Sequence, residues 1–179
     1  MRMCVGFERI GGVLDSHPTL VTDCPDLLLS ELTISDADCY FSVLDHNRDH
    51  LSRFGDYQQE KSATLDWVID YFTNPPDNNI RYGLRLDRKL VGRVDLNPVA
   101  PPRYTIGYWL DRNHTGRGYA TIACSAAIEY ARTALGATDI FAGVGHGNDD
   151  SARVLQRLGF QPIAEFASYR RYHLGVSPV

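Results

Sequence analysis

A chain of 179 residues with 44% hydrophobic side chains has the length and apolar content of one ordinary domain with a substantial core. Its formal charge of −4, with no Lys/Arg cluster, argues against direct nucleic-acid binding and gives a basic substrate a mildly attractive field. The apolar runs are too short to cross a bilayer and the first residues lack the continuous apolar core of a signal peptide, so the expectation is a cytoplasmic protein with no membrane partner.

Residues 1–26 show neither periodicity nor repeat and read as an N-terminal extension, with the domain proper at 27–179. A first strand is predicted at 27–32, and Ser35 followed by Asp38 gives a capping pair for a helix over 36–54. A second helix runs over 62–72 and is stopped by Asn74, Pro75 and Pro76, because proline cannot continue the hydrogen-bond ladder. Residues 79–96 alternate on either side of a charged step at Asp87 to Lys89 and read as an antiparallel hairpin. A strand rich in β-branched and aromatic residues follows at 103–111 and runs into the glycine-rich stretch TGRGYA, which opens an amphipathic helix. Beyond it come a strand at 138–148, a helix at 149–160 closed by Gly159, and a final strand pair over 161–174. The interleaved order defines an α/β (α+β) fold with one undivided domain.

The four cysteines, Cys4, Cys24, Cys39 and Cys124, form no CxxC pair, so they read as free thiols with neither a zinc site nor a disulfide framework. The glycine-rich stretch carries more information. Gly116 and Gly118 let the backbone turn sharply and bring its N–H groups close to a ligand, and the following helix adds unpaired N–H groups and a positive dipole end. A phosphate or pyrophosphate is the natural guest. No Lys follows either glycine, so a triphosphate P-loop is excluded, and Thr121 stands where a dinucleotide fingerprint needs its last glycine. A coenzyme A loop is the third reading, and it gains support from what lies on either side of the stretch.

Together with IGYWL before the loop, Asn148 and Ser151 after the next strand and RVLQRLGF in the last helix, the stretch resembles the GCN5-related N-acetyltransferases (GNAT), of the ribosomal-protein N-acetyltransferase type. The family signature [QR]xxGx[GA] maps onto residues 115–120, with Gly118 and Ala120 at the small positions and Thr115 in place of Gln or Arg. The resemblance covers about residues 27–174. It implies a mixed, mostly antiparallel twisted sheet flanked by helices, an acetyl-CoA cleft after the fourth strand, and no need for a metal. The function it implies is transfer of an acetyl group to a primary amine by direct attack in a ternary complex. A non-catalytic CoA-binding module with the same fold is the alternative, and the oligomeric state stays open between monomer and homodimer.

Acetyl transfer needs a base, because an alkyl ammonium holds its proton to about pH 10. Asp95, on the strand before the loop's own strand, is the first candidate by resemblance, with Glu31, Glu165 and His173 as alternatives and a half-exposed surface Asp as the plain reading. Ser151, near the thiol by resemblance, and Tyr169 are candidate proton donors to the leaving thiolate; Ser151 also reads as a helix N-cap. A backbone N–H such as that of Leu110 suits the developing oxyanion. The CoA contacts implied are Thr115, Gly116, Arg117, Gly118, Tyr119, Ala120 and Thr121 in the loop, with Asn148, Ser151 and Arg153 beyond it. Tyr119 also falls on the inward stripe of its helix, and Trp109 fills the sheet or underlies the thioester. The polar aromatic string at 46–57 is the candidate acceptor wall, with Asn47, Arg48 and Tyr57 foremost among its members His46, His50 and Asp56. The acceptor is an amine on a metabolite, an antibiotic or a protein N-terminus. Cys124 lies well along its helix with no base at nucleophile-activating spacing, so direct attack is preferred over a covalent enzyme intermediate.

Overall fold

The computed structural model describes residues 17–55, 57–74 and 78–177. Cys4, Asp56, Pro75 and Pro76 lie outside the described residues. The strands are β1 (Leu20–Val21), β2 (Leu27–Glu31), β3 (Ile80–Leu86), β4 (Lys89–Ala100), β5 (Arg103–Leu110), β6 (Asp139–Gly145), β7 (Gln161–Glu165) and β8 (Tyr169–Gly175). The helices are α1 (Ala37–Leu51), α2 (Gln58–Lys61), α3 (Leu65–Thr73), α4 (Tyr119–Ala134) and α5 (Asp149–Arg157). The strands form one open sheet in the order β1-β2-β3-β4-β5-β6-β8-β7. Every pairing is antiparallel except β5 with β6.

Local chemistry sets these boundaries. The turn joining β3 to β4 places Asp87 and Arg88 in the left-handed region, at φ 48 and 67, which matches the twist of a two-residue hairpin. The expected capping pair at Ser35 and Asp38 is displaced by two residues: the Asp36 carboxylate accepts the Thr33 N–H at 3.0 Å and also holds Arg85 Nη2 at 2.5 Å. Thr64 caps α3 by accepting the Trp67 N–H. At the other end of the chain Asn148, not Ser151, caps α5: its side-chain oxygen accepts the Ser151 N–H at 3.2 Å. Gly159, at φ 90, ends that helix as expected, and the Phe160 N–H reaches back to the Leu155 carbonyl at 3.0 Å.

Alternation along β4 divides the two faces of the sheet. Val94 and Leu96 join the larger core against α4, which supplies Ala123, Cys124, Ala127 and Ala131. Small residues bring this helix close to the sheet. Arg93 and Asp95 point to the opposite face, where Tyr40 and Leu44 of α1, Val68 of α3 and Trp109 of β5 make a second core.

The feature that positions the site is a failure of pairing. β5 and β6 are joined only through Arg103–Asp139, Tyr104–Ile140 and Thr105–Phe141. Past these residues β5 continues along β4 and β6 along β8, and a wedge opens between them. The loop that follows β5 and the N-terminus of α4 face into it, after the fourth of the strands predicted from sequence.

Candidate active site

The wedge holds a cleft of about 650 Å³. One wall is the unpaired edge of β5, Ile106 to Leu110, and the other is Ala142, Gly143 and Val144 of β6. The Tyr108 carbonyl faces the cleft, since it accepts a 2.8 Å hydrogen bond from the Tyr57 hydroxyl rather than one from β4. By the two-residue period of a strand, the Leu110 N–H faces the same way, while the Asp111 N–H is spent on the Val91 carbonyl. The Tyr108 hydroxyl donates to the Ser151 carbonyl at 3.0 Å and ties β5 to α5.

The glycine loop closes one end. Gly116 and Gly118 both sit in the left-handed region, at φ 74 and 83, and a Cβ at either would meet nothing within 4 Å among the described residues. Glycine is therefore demanded by the backbone turn, and the space beside it is open to a ligand. The hydrogen-bond ladder of α4 starts with the Ile122 N–H on the Gly118 carbonyl, which leaves the preceding N–H groups directed at the cleft. No acidic side chain stands in that first turn, and the Thr121 hydroxyl oxygen, on the cleft wall, is buried without a hydrogen-bond partner. Thr115 donates its hydroxyl to the Arg112 carbonyl at 2.9 Å and so stiffens the turn. These groups fit an anionic, phosphate-bearing guest.

The far wall supplies cations. Arg153 and Arg157 of α5 and Arg53 beyond α1 line the cleft, with Asp150 paired to Arg153. A second hollow of about 300 Å³ adjoins this end, bounded by Phe54, Gly55, Gly143, Ser168 and Tyr169. Tyr169 stacks on Phe166 at 4.6 Å between centroids, and its hydroxyl accepts from Arg171 at 2.9 Å.

Of the residues singled out from sequence, Tyr57, Leu110, Thr115, Gly116, Gly118, Tyr119, Ala120, Thr121, Asn148, Ser151 and Arg153 all line the cleft, and so do His50 and Trp109. Burial lowers the proton affinity of the His50 imidazole, favouring its neutral form. Tyr169 lines the adjoining hollow instead. Arg117 is exposed on the loop, outside the lining.

Asn47 and Arg48 are committed elsewhere. Asn47 is buried, donates to the Val43 carbonyl at 2.8 Å and accepts the Arg112 N–H at 2.9 Å. Arg48 spans the carbonyls of Glu60, Lys61 and Ala63. Both are therefore spent on the protein's own frame, in place of the substrate contact expected. Glu31 accepts the His17 N–H, Glu165 pairs with Arg170, and His173 pairs with Asp139, each outside the cleft lining. His46 is exposed and bonded to the Ser42 carbonyl.

Asp95 lies behind the β5 wall in a buried polar cluster. Arg93 sits at its centre with Nε 2.9 Å from Asp95 Oδ2, Nη2 3.3 Å from Glu60 Oε1, and Nη1 donating to the Tyr40 hydroxyl. Burial raises the Asp95 carboxyl above its ordinary value, against the lowering pull of Arg93 and Arg81. Cys124 is wholly buried and burial pushes its thiol up, so it carries little thiolate. Sequence reasoning passed over Gly107, Gly143, Arg157 and Phe54. The two glycines had a signal: an isolated glycine inside a strand marks close approach of another group.

A wedge between parallel strands, closed by a glycine-turned helix N-terminus and flanked by guanidinium groups, suits a long ligand with amides along its length and phosphates at its end. Acyltransferases that draw on a CoA thioester are the class implied. The chain matches the family model described as the acetyltransferase (GNAT) domain over residues 26–161, and it belongs to that family. Its chemistry is acetyl transfer from acetyl-CoA to an amine. It is 29% identical to the uncharacterized N-acetyltransferase YoaA of Bacillus subtilis, over 85% of this chain and 88% of that protein. It is 30% identical to the probable N-acetyltransferase YjcK of the same organism, over 72% and 77%. Among solved structures, RimL, a ribosomal L7/L12 alpha-N-protein acetyltransferase in complex with coenzyme A, shares the fold with a TM-score of 0.77 at 18% identity, over 89% of this chain and 98% of that one. The ribosomal-protein-S5-alanine acetyltransferase of Vibrio fischeri aligns at 0.74 and 19% identity, over 87% and 96%. Among the described residues no helix is long and apolar enough to cross a membrane.

Proposed function

We propose that the protein acetylates a primary amine, at a protein N-terminus or on a small molecule, by direct attack on the thioester of acetyl-CoA in a ternary complex, with Asp95 taking up the amine's proton. The observation that carries this reading is the unpaired edge of β5 beside the α4 N-terminus: one strand offers both a carbonyl and an N–H to the same opening. Residues 115–121 hold the phosphates of the donor through backbone N–H groups, and Arg153 and Arg157 offset their charge. The Leu110 N–H receives the carbonyl oxygen as it gains charge. Asp95 suits a base because burial increases its proton affinity. The buried, protonated thiol of Cys124 speaks against a covalent enzyme intermediate.

The acceptor enters by the hollow between Phe54 and Tyr169. RimL and the S5-alanine acetyltransferase are named for ribosomal-protein acceptors, which supports a protein N-terminus as the acceptor here. The charges flanking the hollow agree: Arg53 lies over Phe54, and Arg171 lies over Phe166 and Tyr169. These disfavour polycationic amines such as polyamines and aminoglycosides. Thiol release from acetyl-CoA across a panel of N-terminal peptides, amino sugars and polyamines tests the reading. Turnover with acidic or neutral peptides is expected; tight acetyl-CoA binding with no turnover across the panel would mark a binding module instead.

The hydroxyl of Ser151 is the proposed donor to the leaving thiolate, with Tyr169 helping to seat the amine. Because the helix cap uses the Ser151 backbone N–H, Ser151→Ala isolates the hydroxyl. That variant is expected to keep its thermal midpoint and lose about tenfold to a hundredfold in kcat, toward the low end of general-acid effects. Asn148→Ala should in addition cost about 1 kcal/mol of stability through the lost cap, read by urea unfolding.

A further inference from the structure

Arg81, Asp95 and Gly107 are register partners across β3, β4 and β5, in one row on the face that carries α1 to α3. Among the described residues Arg81 Nη2 and Asp95 Oδ1 are buried without hydrogen-bond partners, and so is Trp109 Nε1 in the next row. The third member of the row has no side chain at all. Gly107 is itself part of the cleft wall, so its missing side chain lies between Asp95 and the cleft.

The reason for glycine at this position is not packing. A Cβ at Gly92 would strike the Trp109 carbonyl at 2.3 Å, and one at Gly83 would meet Leu90 and Leu32 at 2.7 and 2.8 Å. At Gly107 a Cβ would have two neighbours within 4 Å among the described residues, and both are oxygens: Asp95 Oδ2 at 3.8 Å and the Tyr57 hydroxyl at 4.0 Å. Its backbone is not in the left-handed region either. The gap is therefore polar, the size of a small group, and bounded by the candidate base on one side and a cleft-lining phenol on the other. A site of that kind suits a water molecule, which needs polar partners and room for one oxygen.

We propose that Gly107 is a port in the β5 wall, through which one water, held by the Tyr57 hydroxyl and Asp95 Oδ2, relays the acceptor's proton to Asp95. The inference rests on the reading of Asp95 as the base. The acceptor's ammonium N–H bond breaks as its proton joins the water oxygen, while a proton of that water passes to Asp95 Oδ2; the nitrogen keeps the electron pair with which it attacks. The groups around Asp95 are consistent with the task. Arg93 of β4 and Arg81 of β3 stabilise the carboxylate and Glu60 of α2 opposes them, and the rings of Tyr40, Tyr57 and Tyr71 pack over the Arg93 guanidinium. Gly107 acts through Asp95 and is a positioning residue.

Gly107→Ala is the test, because its methyl would sit at ordinary contact distance and leave the fold intact while filling the gap. The expected result is an unchanged thermal midpoint and acetyl-CoA Kd, a kcat near pH 7 lower by about a hundredfold, and recovery toward pH 10, where the amine sheds its proton without help. Asp95→Asn measured alongside should show the same alkaline recovery. If Gly107→Ala keeps its neutral-pH kcat while Asp95→Asn loses it, the port is wrong and the base stands. Full activity in Asp95→Asn overturns both. A Gly107→Ala loss that is equal at every pH, or that appears as weakened acetyl-CoA binding, also overturns the port, since it would mean simple obstruction.

Discussion

Replacing Arg93 with methionine is expected to lower the free energy of unfolding by about 3–5 kcal/mol, as breaking one side of a buried ionic cluster does elsewhere. Arg93 is 3% exposed, and its guanidinium is the cation that Asp95 and Glu60 both reach. Methionine fills much of the volume, so the loss comes from two carboxylates left in a low-dielectric interior rather than from a cavity. The pH dependence has a definite sign. The Asp95 carboxyl already stands above its ordinary value, so folding takes up a proton there, and that contribution is present at low pH and lost as pH rises through the raised value. Without Arg93 the carboxyl rises further, and the deficit of the variant should be larger at pH 8 than at pH 5. Urea unfolding at the two pH values reads this directly. An equal deficit at both would mean that Arg93 acts through packing alone.

Gly118→Val carries the largest expected effect on donor binding. Gly118 holds φ 83 as the residue before α4, and a β-branched side chain there is strained by about 1–3 kcal/mol. Among the described residues nothing stands within 4 Å of the added Cβ, so the side chain itself fits; it projects into open space beside the unpaired N–H groups. The loop then either adopts another turn, which misdirects those groups, or keeps its turn under strain with an obstructed anion site. Either way the KM for acetyl-CoA should rise by about 30- to 100-fold, on the scale of 2–3 kcal/mol, with a small change in thermal midpoint because the loop is exposed. Gly118→Ala should give a smaller rise of the same kind. Steady-state kinetics over acetyl-CoA concentration checks both.

Much of the fold was legible because its signals are local. The turn at Asp87 and Arg88, the strand leading into TGRGYA and the glycine closing α5 each follow from a few neighbouring residues, and they fall where spacing put them. The proposed donor half of the site comes with them, since an anion cradle at a helix N-terminus is a contiguous feature. The proposed acceptor half draws on distant segments and is harder to read. Asn47 and Arg48 sit on a helix among polar neighbours, and sequence cannot separate a side chain that reaches outward from one that folds back to carbonyls thirteen or fifteen positions on. Asp95 was singled out by family resemblance, but its burial and its partner Arg93 depend on α1 and α2 covering that face of the sheet. The short helix α2, with Glu60 buried within it, had no periodicity to announce it. The shift of the α5 cap from Ser151 to Asn148 shows a similar limit: both residue types cap helices, and only the geometry chose.

Tyr108 has one further consequence. Its hydroxyl is bolted to α5 and its carbonyl to Tyr57, so a single rigid ring and the peptide attached to it span the two walls that the proposal gives to donor and acceptor. The gauge between the two reactants is thereby fixed by a strand residue rather than by the loops around it. The β7–β8 turn, and the positions around Phe54 other than Tyr57, are thus free to change in sequence, and so to admit a different amine, without altering how far that amine must travel to the thioester.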